Sequence, residues 1–252
     1  MVRILLHGAC GRMGHVITEI AAADPDTEIA AGVDAFGEKY SAFPVYRTLE
    51  EVKEPVDVVI DFSNAGAADG LIDYCAFKGL PCVLCTTGLS DSQMDHLHEA
   101  AGRAAFLKSS NMSLGVNVLF KVLQDAAPVL AAAGFDMEIV EKHHNQKLDA
   151  PSGTALSLAD VCNEAAGGGY EYVYDRSQRR EKRPEKEIGI SSVRGGSIVG
   201  DHDVIFAGQD EVVTFSHRAY SRAIFAKGAV AAARFLAGKP AGFYDMQDVI
   251  RA

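Results

Sequence analysis

Short apolar runs and helical patterns alternate over the first hundred or so residues. "VRILLH" leads into "GRMGHVITEIAAA", and "EIAAGVD" and "VDVVIDF" follow as strand-like runs. "AGAADGLIDYCAFKG" reads as a helix, "LPCVLCTT" as a strand, and "SDSQMDHLHEAAGRA" as a helix starting on Ser90 or Asp91. Strand alternating with helix predicts an α/β fold with a parallel, doubly wound sheet. From Phe135 the pattern changes. "FDMEIVEKHH", "KEIGISSVR", "HDVIFAG" and "EVVTFSH" read as strands, with one clear helix near Ser152 to Ala166 among them. That grouping predicts a second, α+β domain on a mostly open mixed sheet. The last helix, "SRAIFAKGAVAAARFLAG", is long and apolar and is expected to return to the first domain. The expected division is therefore 1–112 with 219–252, and 113–218.

Composition narrows the function classes. The 252 residues carry a formal net charge of −10, which argues against general affinity for nucleic acid or anionic membrane. No apolar run reads as long enough to span a bilayer. "MVRILLHGACGRMG" turns to glycine after six residues, unlike a secretory signal. Cytoplasm is the expected location. Cys10, Cys75, Cys82, Cys85 and Cys162 are odd in number and sit in apolar or helical-looking segments, so free thiols are expected. Cys82 and Cys85 form C-x-x-C, but on a strand i and i+3 point to opposite faces. No second pair offers further thiolates, and no metal site is expected. The mixed-sign run "DRSQRREKRPEKE", Asp175 to Glu187, reads as a solvated loop rather than a phosphate-contacting patch.

The first chemical motif is "HGACGRMG". Gly8, Gly11 and Gly14 follow a strand and open a helix. Glycine lets the backbone turn sharply and approach a pyrophosphate, which the helix N-terminus then meets with N–H groups. The strict pattern is G-x-G-x-x-G; Ala9 departs from it, and position 8 adds a glycine. Asp34, twenty residues beyond Gly14, ends the next strand and could accept from adenosine ribose hydroxyls. These features favour a Rossmann-like, dinucleotide-binding first domain over an ordinary tight turn. "CTTG" at Cys85 to Gly88 and "SSNMS" at Ser109 to Ser113 also follow strands; they suit a cofactor crevice and equally suit helix caps.

The most concentrated chemistry lies in "HHNQKLDAPSGTA". His143 and His144 are expected on opposite faces if the strand reaches them, and Lys147 follows. Ser152 is a natural N-cap, leaving Gly153 and Thr154 to offer first-turn amides to a carboxylate. A histidine there could be a general acid and the lysine a second anion site or proton donor. The segment suits a small dianionic substrate; a capped helix with two structural histidines and a solvated lysine is the plainer alternative.

"GACGRMG", "EKHHNQKLDAPSGTA" and "VRGGSIVGDHDVIFAG", in that order across nearly the whole chain, resemble the dihydrodipicolinate reductase family. The resemblance implies NADH- or NADPH-dependent reduction of a cyclic unsaturated dicarboxylate to tetrahydrodipicolinate, in lysine and diaminopimelate biosynthesis. It implies homotetramers held by the sheets of the second domain. It implies His143 and Lys147 as catalytic, and His144, Gly153 and Thr154 as substrate-binding. The implied cofactor contacts are Gly8, Ala9, Cys10, Gly11, Arg12, Met13, Asp34, Cys85, Thr86, Thr87, Ser109, Ser110, Asn111 and Met112. Cys85 stands where many relatives have glycine. Ala35 stands where some carry an arginine for a 2′-phosphate, so NADH is expected to serve at least as well as NADPH. Two rivals remain open: another two-domain dehydrogenase acting on homoserine or aspartate, and a nucleotide sensor without turnover. His217, Arg218 and Arg222 in "SHRAYSR" are weaker candidates for a supporting shell.

Overall fold

The computed structural model describes every residue except 38 and 175. The chain divides into two compact units: Met1–Leu114 with Ala223–Ala252, and Gly115–Arg222.

The first unit runs β1 (Val2–His7), α1 (Arg12–Ala23), β2 (Thr27–Val33), β3 (Val45–Tyr46), β4 (Val58–Asp61), α2 (Ala68–Lys78), β5 (Cys82–Leu84), α3 (Asp91–Ala100) and β6 (Ala105–Leu107). Its strands form one parallel sheet in the order β12-β6-β5-β4-β1-β2-β3, with β12 (Gly242–Tyr244) supplied from the chain's end. Alternation along each strand sends side chains to opposite faces. Ile4, Leu6, Ile60 and Val83 thus meet Ile17 of α1 and the alanine-rich face of α6 (Ala223–Leu236). Leu5, Val59 and Leu84 meet Leu71 and Ile72 of α2 and Leu97 of α3 on the other. Helices on both faces make the sheet doubly wound, and the last apolar helix does return to this unit. Ser90 caps α3 in a reciprocal box with Gln93.

The second unit holds α4 (Leu114–Ala132, from Gly115), β7 (Asp136–His143), α5 (Gly153–Ala165), β8 (Glu171–Val173), β9 (Glu187–Arg194), β10 (Gly200–Ala207) and β11 (Val212–Ala219). The mixed sheet has the order β11-β10-β7-β9-β8. β7 lies antiparallel to β10 and parallel to β9. One face, with Met137, Ile139, Ile188, Ile190, Val204 and Phe206, is buried against α4 and α5. The other exposes Ser191, Val193, Thr214, Ser216 and Arg218. Short β3, β8 and β12 and the final helix α7 (Met246–Arg251) have no counterpart in the sequence reading. Two- and three-residue strands are too short to show a period, so they exist only through pairing with a neighbour.

One expectation changes. α4 is long and apolar enough, by length and composition, to cross a bilayer, although Lys121 and Asp125 interrupt its apolar run. Its buried Val116, Leu119, Phe120 and Leu123 belong to the second unit's core, as in the core helix of a globular protein. The basic run is an irregular, mostly exposed loop before β9, as expected. Three of its cations are nonetheless paired: Arg183 donates to Asp136 (2.7 Å) and Glu138 (3.0 Å) of β7, Arg179 to Glu171 (2.8 Å), and Arg176 to buried Glu187. Asp175 of that run lies outside the described residues.

Close backbone approach sets the first unit's packing. A Cβ on Gly14 would fall 2.0 Å from the Ala9 carbonyl oxygen, and one on Gly228 of α6 would fall 1.7 Å from that of Met112. Gly228→Ala should therefore lower stability by at least about 1–3 kcal/mol, the usual cost of overpacking. Gly70→Ala, in a helix with nothing within 4 Å of the new methyl, should instead raise it by up to about 1 kcal/mol. Urea unfolding of both variants checks the pair; equal midpoints would contradict the packing described.

Candidate active site

Every first-unit segment singled out from sequence comes to the C-terminal edge of the parallel sheet. Gly8 to Gly11 turn from β1 into α1, with Arg12 and Met13 as the first helical residues. Gly8 has φ of 78°, and a Cβ there would strike the Phe62 carbonyl. Gly11 caps α1 without a side chain, so no hydroxyl or carboxylate occupies the helix start. That bare N-terminus on a glycine turn fits an anionic pyrophosphate. Cys85, Thr86 and Thr87 follow β5, and Ser109 to Met112 follow β6. β1 and β4 lie side by side where the strand order reverses, the position at which such sheets take ligands.

Asp34 stands just past β2. Its carboxylate accepts from the backbone N–H of Cys10 (2.9 Å), Phe36 (3.0 Å) and Gly37 (2.8 Å). Burial alone would raise its pKa; these three bonds outweigh it and hold the group below the usual carboxylate range. Asp34 thus ties the loop after β2 to the glycine turn and still has lone-pair capacity for a ribose hydroxyl. Sequence reading missed a fully buried acid at the end of β4. Asp61 accepts from His7 Nδ1 at 2.8 Å and from the N–H of Ser63. Lys108 was missed as well: its ammonium donates to the Thr86 carbonyl (2.8 Å), fixing the turn after β5. Both sit at strand ends, and neither belongs to a local motif. None of the five cysteines forms a disulfide among the described residues. Among the described residues no three His, Cys, Asp or Glu side chains gather in a way that could hold a metal ion.

In the second unit β7 ends on His143, which is buried, while His144 lies beyond the strand. The face that carries His143 also carries Glu141, fully buried. Glu141 Oε2 meets His143 Nδ1 at 2.6 Å. Arg194, at the end of β9, donates to both Glu141 oxygens (2.8 and 2.7 Å), and the Ser152 N–H adds a fourth bond at 3.1 Å. Burial pushes the Glu141 pKa up, but hydrogen bonds from Arg194, Ser192 and His143 bring it to about 2. A permanent carboxylate therefore faces Nδ1 and selects the tautomer with its proton there, leaving Nε2 as the nitrogen without one. Nε2 faces Gly200, where a Cβ would come to 3.0 Å. Burial lowers the His143 pKa, and the nearby Lys147 and Arg194 charges add to that; Glu141 opposes them without prevailing.

Lys147 pairs with Asp149 at 2.8 Å. Ser152 caps α5, its hydroxyl accepting the Ala155 N–H (3.1 Å) and lying 2.9 Å from His202 Nε2. His202 is buried, and burial with the His143 charge takes its pKa to about 4, so it stays neutral. Gly153 and Thr154 begin α5, and nothing stands within 4 Å of where a Gly153 Cβ would be, so the helix start is open on that side. Arg222 approaches His144 Nε2 at 3.4 Å, and Arg218 is paired with Asp201 at 2.9 Å. Alternation along "MEIVEKH" had put Glu141 on the His143 face, an acid among Met137 and Ile139. That signal was legible and unused. Arg194, 53 residues away, had none.

The model of the dihydrodipicolinate reductase N-terminus matches residues 2–112, and that of its C-terminus matches 115–250. The chain belongs to the dihydrodipicolinate reductase family. It is 49% identical over 251 residues to the 4-hydroxy-tetrahydrodipicolinate reductase of Caldanaerobacter subterraneus subsp. tengcongensis, covering 100% of this chain and 99% of that one. It is 46% identical over 252 residues to the enzyme of the same name from Clostridium tetani, covering 100% and 98%. In structure it resembles the dipicolinate-bound dihydrodipicolinate reductase of Paenisporosarcina sp. TG-14, with a TM-score of 0.81, 24% identity and 99% of each chain covered.

The balance at His143 is testable. In the ligand-free protein its imidazole should titrate below the ordinary histidine value of about 6.5. Glu141→Gln should lower it further, because the opposing carboxylate is gone. Nitrogen-detected NMR of labelled histidines reads both. A His143 titration above the ordinary value, or a rise in the Glu141 variant, would contradict the arrangement.

Proposed function

We infer that this protein is an NAD(P)H-dependent oxidoreductase that reduces 4-hydroxy-tetrahydrodipicolinate, its hydroxyl leaving as water, to tetrahydrodipicolinate in diaminopimelate and lysine biosynthesis. The observation that carries the inference is the full-length family match, joined to a buried Glu141–His143 pair beside an open, capped helix start. Neither a homoserine nor an aspartate dehydrogenase calls for that constellation, and a sensor has no use for it.

The roles follow from the chain's own groups. The turn Gly8–Gly11 with Arg12 and Met13 binds pyrophosphate, and Asp34 takes the adenosine ribose. Cys85 to Thr87 and Ser109 to Met112 line the remainder of the cofactor crevice. Bound nicotinamide supplies a hydride. Residues 1–112 with 219–252 thus serve the cofactor, and 113–218 serve the substrate and assembly. Lys147 and the first-turn amides of Gly153 and Thr154 hold a substrate carboxylate, with His144 as a further contact. An arriving dianion also raises the His143 pKa, since nearby negative charge favours imidazolium. His143 can then deliver a proton from Nε2 to the carbon next to the one reduced, with Glu141 stabilising the charge before transfer. The outer sheet face, with exposed Val193 and Val212 among polar side chains, suits burial between copies in a homotetramer. A cytoplasmic location suits five cysteines that form no disulfide among the described residues.

Following loss of NADH absorbance with freshly generated substrate tests the activity; a protein that binds NADH and never consumes it would leave a sensor. Asp34 disfavours a 2′-phosphate, so kcat/KM with NADH should equal or exceed that with NADPH. A clear preference for NADPH would refute this. Lys147→Ala should impair turnover severely and leave the NADH dissociation constant nearly unchanged. His143→Gln should lower kcat by roughly a hundredfold or more. His144→Gln should act largely through KM. Near-normal kcat in folded His143→Gln, with the same pH profile, would move the acid role to Lys147 or water.

A further inference from the structure

We propose that Arg47 is a specificity-determining residue: the cation that allows a 2′-phosphate to be accepted beside Asp34. The proposal rests on the nicotinamide reading above and extends it to the adenosine end of the site. In a sheet of this kind the acid at the end of β2 meets the ribose hydroxyls, and a nearby arginine accommodates a 2′-phosphate. The residue after Asp34 is Ala35, which carries no charge. Chain proximity therefore points to no cation. Strand pairing does. β3 lies parallel to β2, with Gly32 opposite Val45 and Val33 opposite Tyr46, and the Asp34 N–H donates to the Tyr46 carbonyl at 2.9 Å. The residue leaving β3 is thus delivered to the same edge as the residue leaving β2. That residue is Arg47. Its guanidinium Nη1 donates to the Ala35 carbonyl at 2.9 Å, and its own N–H is held by Glu51 Oε2 at 2.9 Å.

Three further observations support the placement. The bond to Ala35 uses one of five guanidinium N–H groups, leaving donors for a phosphate. The Cys10 thiol in the glycine turn is raised by burial and by Asp34 and lowered by Arg47, so both charges act at the turn. Asp34 already faces three backbone N–H groups, which soften its repulsion of a second anion. Phe36, between them in sequence, is 92% exposed. An aromatic ring left bare at this edge suits the face of an adenine.

Titration of the whole protein with NADH and with NADPH, without substrate and read by nicotinamide fluorescence, separates the alternatives. Arg47→Met should weaken NADPH by at least about tenfold, the scale of a hydrogen bond to a charged group. It should leave NADH within about twofold, as should Lys39→Met for both dinucleotides, being surface changes away from the contact. Phe36→Ala should weaken both dinucleotides alike. An unchanged NADPH-to-NADH ratio in Arg47→Met, or a selective loss of NADPH affinity in Lys39→Met instead, would overturn the proposal. Failure of the unaltered protein to bind either dinucleotide would overturn the nicotinamide reading, and this inference with it.

Discussion

A carboxylate sealed inside the second unit governs the site. Glu141 is fully buried, and an ionised acid there is tolerated only when its lone pairs are met. Four N–H donors meet them from three places: His143 two residues on, Ser152 at the start of α5, and Arg194 twice from the end of β9. Satisfying one acid therefore fixes three chain segments at once. The His143 imidazole, the capped helix and the neighbouring strand end take their positions from it. Removing Arg194 alone would leave the charge buried and under-paired, which is costlier than removing the pair together.

The first unit uses the same device with backbone donors. Asp34 gathers the N–H groups of Cys10, Phe36 and Gly37 and so joins the loop after β2 to the glycine turn. Asp61 gathers His7 and Ser63 at the end of β4. Both acids lie at C-terminal strand ends, where a parallel sheet presents its ligand edge. Glycine then sets how near the chain can come: Gly8 by its positive φ and Gly14 by its contact with the Ala9 carbonyl. In each unit a carboxylate gathers the donors of separate chain segments: Asp34 at the glycine turn, Glu141 at the start of α5.

Much of this was legible in the sequence, and the unread part has physical causes. Period-two and helical runs marked the long strands and helices, since β1, β7 and α6 carry their own amphipathic signal. The shortest strands carried none, and β3 is the costly omission because it delivers Arg47. The basic run is the exposed loop its mixed charges suggested, but charge alone does not reveal that Arg183 has Asp136 and Glu138 waiting on β7. Within the site, His143, Lys147 and the Ser152 cap were visible as a cluster along the chain. Glu141 was visible by alternation and overlooked. Arg194 and Lys108 act across long sequence separations, and only folding brings them to their partners.

The central claim is that a hydride from the nicotinamide reaches a cyclic dicarboxylate in this protein. The most direct test supplies NADH carrying deuterium at both C4 positions of the nicotinamide, together with freshly generated substrate, and weighs the product by mass spectrometry. The account predicts tetrahydrodipicolinate with a single deuterium on its ring carbons. Product without the label, or consumption of NADH with no reduced dicarboxylate formed, would contradict it.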